Sequence, residues 1–168
     1  FTKTGTNSVQ IVGTTAVTNE PSGIAFDVQE GELLFADAVT FSGTSASTVE
    51  VASDARLAIY LVDRPIPYSV RAASGVTLDV RDTSSAANTN LNIYAGPIEL
   101  DGNINITGLA HTQQSLHGPV SGSGGLTVIS SELLLANTAN DYSGPTVVSN
   151  GVLRPLTPAA LSPASALT

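Results

Sequence analysis

The chain has 168 residues and a formal net charge of −8, from six basic and fourteen acidic side chains. Its length is sufficient for one domain with a hydrophobic core. With one lysine, Lys3, and scattered arginines, it lacks the cluster of cations that nucleic acids or an anionic membrane surface require. Because it has no cysteine, disulfides and thiolate sites are excluded as well.

The composition favours folded β-structure over disorder. Hydrophobic residues make up 42% of the chain, mainly Val, Ile, Leu and Ala, whereas charged residues make up 12% and aromatic residues 5%. Branched aliphatic residues fit a pleated sheet, and the abundant Gly, Asn, Ser and Thr fit its turns. No apolar run reaches the length of a transmembrane helix, and no signal peptide is recognisable.

Short runs of alternating apolar and polar residues predict strands separated by turn residues. In chain order these runs are 8–12, 24–28, 48–51, 76–80, 91–94, 103–106, 126–129 and 146–148. Hairpin signals are scarce, although Asn150-Gly151 and Asp101-Gly102 could each make a tight turn. Most other breaks are longer mixtures of Ser, Thr, Ala and Asn.

A leucine that recurs after successive strands indicates a solenoid. The anchor residues are Leu33, Leu57, Leu78, Leu100, Leu126 and Leu153, and the step from each to the next is nearly constant. This step predicts a right-handed parallel β-helix of about seven coils of 21–27 residues, roughly 34 Å long, with loops such as 82–90 and 108–119 absorbing the variation. The alternative is a β-sandwich with irregularly spaced strands.

Glycine, aliphatic and Asn-x-Tyr positions follow a fixed spacing in residues 122–153. They are Gly124, Gly125, Leu126, Thr127, Leu134, Asn140, Tyr142, Gly144, Thr146, Val148, Gly151 and Leu153. In this register the segment resembles the autotransporter-associated β-strand repeat of bacterial passenger domains. Val128, Ser130 and Ala136 depart from the family pattern, which has Lys, Gly and an aliphatic residue there.

The start of the chain resembles the same repeat in two pieces. Residues 2–6 match its T-K-T-G turn, with Val9, Ile11 and Gly13 in register, and residues 23–33 resemble its closing half. The middle, from about 35 to 121, has the coil pattern without the motif. We therefore expect 1–168 to be a single β-helix segment of a longer protein, with repeat-like parts at 1–33 and 122–153.

The motif residues are expected to have structural roles. The glycines would adopt the positive φ of a turn between coil faces. Asn140 suits a left-handed corner, where stacked Asn side chains share amide hydrogen bonds, and Tyr142 would cap the core with its hydroxyl in water.

Both ends of the sequence fall inside a repeat, because Phe1 begins part-way through one copy and residues 159–168 resemble the start of another coil. The first residue is not Met, so a processed chain or a fragment is expected. An uncapped solenoid end exposes a strand edge. The expected partners are therefore further coils of a parent chain or neighbouring copies stacked end to end.

The sequence offers few residues for chemistry, and no cofactor is predicted. His111 and His117 lie in the loop-like stretch 108–119, with Asp101 as the nearest acid, which falls short of a metal-ligand set. Residues 64–68 predict an extended loop that leaves the coil.

A polysaccharide lyase or hydrolase is the enzymatic alternative, because such sites need carboxylates on adjacent coils together with a basic residue. The candidate residues are Asp79 and Asp82 near Arg81, and Asp54 and Asp63 near Arg56 and Arg64. They lie beside loops and form no recognisable arrangement, so a solvated face is the preferred interpretation and no catalytic residue is assigned.

The sequence therefore predicts a structural or adhesive segment of a secreted or bacterial cell-surface protein, which is not an enzyme. The resemblance implies a stalk or passenger scaffold. The alternatives are a self-assembling subunit of an extracellular fibre or surface layer, and a β-helix that binds or cleaves polysaccharide.

Overall fold

The computed structural model describes residues 1–13, 16–17, 22–37, 39–60, 65–81, 91–109 and 112–168. Apart from one turn of 3-10 helix at Pro158–Ala160, the regular structure of these residues is β. The first ten strands are β1 (Thr2–Lys3), β2 (Ser8–Ile11), β3 (Ala16–Val17), β4 (Gly23–Val28), β5 (Glu32–Ala36), β6 (Thr40–Phe41), β7 (Ser47–Val51), β8 (Arg56–Tyr60), β9 (Ser69–Ala72) and β10 (Thr77–Val80). The others are β11 (Leu91–Tyr94), β12 (Ile98–Leu100), β13 (Ile104–Gly108), β14 (Gln113–Leu116), β15 (Val120–Gly122), β16 (Leu126–Val128), β17 (Glu132–Leu135), β18 (Thr146–Val148) and β19 (Val152–Pro155).

The strands form parallel sheets that the chain visits in rotation. Sheet A has the order β1-β4-β7-β9-β12-β15, and sheet B has the order β18-β16-β13-β10-β8-β5-β2. The third side of the coil is sheet C (β3-β6) in the first turns and sheet D (β11-β14-β17-β19) in the later ones. The parallel β-helix predicted from the sequence is confirmed, but it has about six turns where about seven were predicted. A β-sandwich is excluded, because it would be built from antiparallel pairs.

Stacking of equivalent residues explains part of the leucine periodicity. Leu33, Leu57 and Leu78 pair directly across β5, β8 and β10, and all three are fully buried. In this column of stacked residues, the next two members are Ile106 and Val128, and neither is a leucine.

The last three leucines of the predicted series, Leu100, Leu126 and Leu153, do not belong to this column of stacked residues. Leu100 belongs to β12 in sheet A, Leu153 belongs to β19 in sheet D, and Leu126 pairs with Ile104 in a neighbouring column of sheet B. The step from Leu78 to Ile106 is longer than the two steps before it, because a ten-residue connection separates β10 from β11.

An aromatic cluster fills the interior near the first coils. Phe26, Phe35, Phe41 and Tyr68 contact one another edge to face, with ring centroids 5.1 to 5.6 Å apart. This geometry suits the ring quadrupoles and adds to the stabilisation from burial. The cluster corrects the prediction for residues 64–68, because Ile66 and Tyr68 are fully buried in the core.

The strand predictions succeed where alternation is regular and fail elsewhere. The runs 91–94 and 146–148 coincide with β11 and β18. β5 and β17 were missed because their apolar residues are consecutive. The predicted loop 108–119 contains β14, and the predicted loop 82–90 lies outside the described residues.

Within the described ranges, no helix has the length and apolar character needed to cross a membrane.

Candidate functional site

A network of charged side chains lies on the outer face of sheet B. The register aligns Ser8, Glu32 and Arg56 on β2, β5 and β8, and it aligns Asp79 with Thr107 on β10 and β13. Residues at alternating positions of a strand point to the same face, so these polar side chains share the side opposite the core. The network therefore crosses five successive coils.

Two carboxylates hold two arginines in this network. Arg56 Nη1 and Arg81 Nε both donate to Asp79 Oδ2, at 2.9 and 3.1 Å. Arg81 Nη2 forms an ion pair with Glu32 Oε2, and Arg56 Nε lies 3.9 Å from the same oxygen. The Glu32 and Asp79 side chains are only 8% and 10% exposed, whereas both arginine side chains are 40% exposed.

The second oxygen of each carboxylate accepts a hydroxyl hydrogen bond. Ser8 Oγ donates to Glu32 Oε1, and Thr107 Oγ1 donates to Asp79 Oδ1, both at 2.7 Å. Buried carboxylates need such partners, because an uncompensated charge away from water is strongly destabilising. All four oxygens of the two carboxylates therefore have a partner within the network.

Two grooves flank the arginines. The arginine groove, of about 530 Å³, is lined by Arg56, Arg81, Asp79, Thr107, Leu109 and Ser130. A second groove, of about 350 Å³, lies towards the first coil and adds Glu32 and Asp54 to the same two arginines. The first volume is within the range of small-molecule sites.

The connections that leave sheet B vary more in length than those that run from sheet A to sheet B. Every connection from sheet A to sheet B is three or four residues long. From sheet B to the next strand, the connections range from three residues after β5 to eight after β8 and ten after β10. Variable insertions at one corner of a solenoid commonly mark its binding side. The arginine groove borders this corner, because Arg81 and Leu109 directly follow β10 and β13.

The outer face of sheet A is acidic. Asp27, Glu50, Arg71 and Glu99 are aligned on β4, β7, β9 and β12. The arginine donates from Nε and Nη2 to Asp101, at 2.8 and 3.4 Å. The hydrogen bond and charge of Asp101 raise the pKa of Arg71 above its ordinary value, and Glu99 acts in the same direction. The guanidinium of Arg71 is thus already paired with the carboxylate of Asp101.

The structure brings together some of the predicted catalytic candidates. Asp79, Arg81 and Arg56 meet in one network, and Asp54 lines the adjoining groove. Asp63, Arg64 and Asp82 lie outside the described residues.

Glu32 was missed by sequence reasoning. It directly precedes Leu33 just as Arg56 directly precedes Leu57, so the leucine step also relates these two charged residues, and that relationship was the available signal.

Within the described part of the chain, the predicted histidines do not form a metal site. His111 lies outside it, and the exposed His117 donates its backbone N–H to the Tyr94 carbonyl at 2.9 Å. The carboxylate of Asp101 is bound to Arg71. Where the structure is described, it contains no group of three or more His, Cys, Asp or Glu side chains that could hold a metal ion.

The repeat-motif glycines are required by close approach between coils. A Cβ at Gly124 would lie 2.0 Å from the carbonyl oxygen of Gly102, and one at Gly125 would lie 2.1 Å from that of Pro145. Gly144 and Gly151 meet similar obstacles. The prediction that these four glycines have positive φ is wrong, because none of them is in the left-handed region.

Asn140 connects three coils without a left-handed corner. Its φ is not positive, which contradicts the prediction. Its Oδ1 accepts from the Val120 N–H at 2.8 Å, and its Nδ2 donates to the Ala160 carbonyl at 2.7 Å and to the Asn137 carbonyl at 2.8 Å. The amide thus bonds to backbone instead of to a stack of Asn side chains.

The other motif residues line the interior to different degrees. Tyr142 is fully buried and its hydroxyl lies 2.7 Å from Thr146 Oγ1, so the expectation of a wet hydroxyl was wrong. Leu126 is buried, Leu153 is half-buried and Val148 is 36% exposed.

No protein-family model, curated protein or solved structure matches this chain. A functional assignment therefore depends on the fold and on the geometry described above.

Proposed function

We propose that the chain is a structural β-helical segment of a secreted or cell-surface protein, acting as a stalk or passenger scaffold. The observation that carries the proposal is the unbroken parallel stack of sheet B, in which seven strands keep their register while connections of three to ten residues leave the sheet at one corner. Such a stack supports loops at fixed heights along a rod. The resemblance of residues 122–153 to passenger-domain repeats favours the same role.

The state of the acidic residues supports a role without catalysis. A general acid or base exchanges a proton with substrate, and ion pairing with arginine favours the charged form of a carboxylate and opposes its protonation. Glu32 and Asp79 each use both oxygens within the network, and Asp101 and Glu132 are each paired with an arginine. These four carboxylates are therefore already engaged with arginines.

Cell-surface exposure tests the proposed location. Proteinase K added to intact producing cells should remove the chain, as detected with an antibody against it, while a cytoplasmic marker protein stays intact. Electron microscopy of the released material, with its mass measured on the same sample, should show thin rods. Protection of the chain until the cells are lysed would contradict the proposal.

A self-assembling subunit is the second candidate, favoured by an apolar groove at the last coil. The groove has a volume of about 560 Å³ and is lined by Val148, Val152, Leu153, Leu161 and Leu167. Exposed apolar surface next to a strand edge favours end-to-end pairing. Mass photometry separates the two candidates. If the chain forms filaments and Val152→Glu disperses them, the result favours assembly. Monodisperse particles favour the scaffold.

A further inference from the structure

The two guanidinium groups at the arginine groove are held in fixed positions. Buried Glu32 and Asp79 bind Arg81, and Asp79 also binds Arg56. Arg56 uses Nη1, and Arg81 uses Nε and Nη2, so Arg56 Nη2 and Arg81 Nη1 have no partner among the described residues. Donors that are already ordered bind an anion with little further loss of entropy.

The charge of the lining selects one side of the network for an anion. The arginine groove has two guanidiniums against one carboxylate, and both oxygens of that carboxylate, Asp79, are engaged. The groove on the other side adds Glu32 and Asp54, which would repel an anion. A planar carboxylate matches the guanidinium fork. The two arginines therefore attract it into the arginine groove, which Thr107 and Ser130 also line.

The rest of the lining suits a sugar ring. Thr107, Gly108 and Ser130 also line the groove, and the two hydroxyls, which donate to Asp79 and to the Gly108 carbonyl, keep oxygen lone pairs that can accept a hydrogen bond. Leu109 is 44% exposed, a large apolar side chain open to solvent at the same place. A sugar has hydroxyls on its rim and C–H groups on its faces, so its hydroxyls can donate to these two oxygens while the ring packs on the leucine.

We infer that the arginine groove binds a saccharide that carries a carboxylate, a uronic acid. The carboxylate lies between Arg56 and Arg81, and the ring packs against Leu109. This inference goes beyond the proposed scaffold role and does not depend on it, because it requires only the groove.

Amide-resolved NMR titration of the whole chain tests the inference with three probes at constant ionic strength. D-glucuronate is compared with D-glucose, which lacks the carboxylate, and with sodium acetate, which lacks the sugar. Glucuronate should bind at least fivefold tighter than either, with shifts at the amides of Val80, Gly108 and Leu109. Equal affinity for glucose or for acetate would overturn the inference.

Matched variants locate the site. Arg81→Gln should weaken glucuronate binding at least tenfold, whereas Arg71→Gln, an ion-paired and exposed arginine of sheet A, should leave it unchanged. Equal affinities of these two variants would refute the site.

Leu109→Ser provides a test that does not disturb the ion network, since Leu109 lies outside it and is exposed. A loss of about fivefold in affinity, with an unchanged amide spectrum elsewhere, supports the packing of the ring, and an unchanged affinity overturns it.

Discussion

Tyr94 and Tyr142 are both completely buried, but among the described residues only the hydroxyl of Tyr142 has a hydrogen-bond partner. Tyr94 lies on β11 in sheet D, and Tyr142 lies in the repeat-like segment, where it bonds to Thr146. The hydroxyl of Tyr142 is thus compensated for the loss of water by a hydrogen bond, and the hydroxyl of Tyr94, within the part of the chain that the structure describes, is not. The energetic consequence of each hydroxyl follows from this difference.

Removal of the two hydroxyls is expected to have opposite effects. Tyr142→Phe should lower the free energy of unfolding by about 1 kcal/mol, because it breaks a buried hydrogen bond. Tyr94→Phe should leave it unchanged or raise it by up to about 1 kcal/mol, because the lost hydroxyl is uncompensated. Urea unfolding of both variants provides the measurement, and a larger loss for Tyr94→Phe would refute the assignment.

Tyr94 also predicts an alkaline dependence of stability. Burial, assisted by the charge of Asp79, raises the pKa of Tyr94 well above its ordinary value. The folded state therefore retains the proton more tightly, so this contribution is fully present below the unfolded pKa of about 10 and is lost as pH rises above it. The free energy of unfolding of the native chain should fall relative to Tyr94→Phe between pH 9 and pH 11, by up to about 1.4 kcal/mol per pH unit. Parallel curves for the two proteins would contradict the prediction.

Asp79, which is paired with two arginines, should matter more to stability than Asp101, which is paired with one. Asp79→Asn removes the charge that holds Arg56 and Arg81, and we expect a loss of about 1–3 kcal/mol, reduced from that of a fully buried pair because both arginines are partly in water. Asp101→Asn breaks an exposed pair with Arg71 and should change little. Thermal and urea unfolding compare the two variants, and 0.5 M salt should narrow the difference only slightly.

Asn140 should be intolerant of truncation. Asn140→Ala leaves the Val120 N–H and the Ala160 carbonyl without their side-chain partner, and a loss of about 2–4 kcal/mol is expected. Asn137, whose amide bonds to the His117 carbonyl in a more exposed setting, is the control, and Asn137→Ala should cost less than half as much. Similar unfolding midpoints for the two variants would show that the bridging bonds contribute little.

Substitutions at two glycines distinguish the cost of a steric clash between coils from the cost of a left-handed backbone conformation. Gly124→Ala forces a methyl group onto the carbonyl of Gly102 and should cost more than about 3 kcal/mol. Gly5 has a φ of 79° and open space around it, so Gly5→Ala should cost only about 1 kcal/mol, from the left-handed conformation. Measured unfolding free energies in the reverse order would contradict the steric argument.

The fold was predictable from the sequence because its core is periodic. Leu33, Leu57 and Leu78 occupy one column, and the step from each of them to the next is the length of one coil. The prediction fails after Leu78, because the ten-residue connection after β10 lengthens the step without changing the column. The length of a loop is not encoded in the pattern of the strands that flank it.

The charged network was only half predictable for a related reason. Asp79 and Arg81 are neighbours in sequence and were grouped correctly, but Arg56 was grouped with Asp54 and Asp63. Its actual partner lies one coil further along, at a place that only the register of β8 against β10 defines. Local composition cannot reveal contacts that are set by the pitch of a solenoid.

The direction of the backbone hydrogen bonds has a mechanical consequence. They run along the axis, so tension applied to the ends of the rod would load every coil boundary with the same force, and the weakest boundary would open first. Ion pairs of Arg56 with Glu32 and with Asp79 cross two successive coil boundaries, from β5 to β8 and from β8 to β10. Among the described residues, no ion pair crosses the boundary between β13 and β16. Under a steady pull, the rod should therefore yield in discrete steps, and the coils around Arg56 should be among the last to separate.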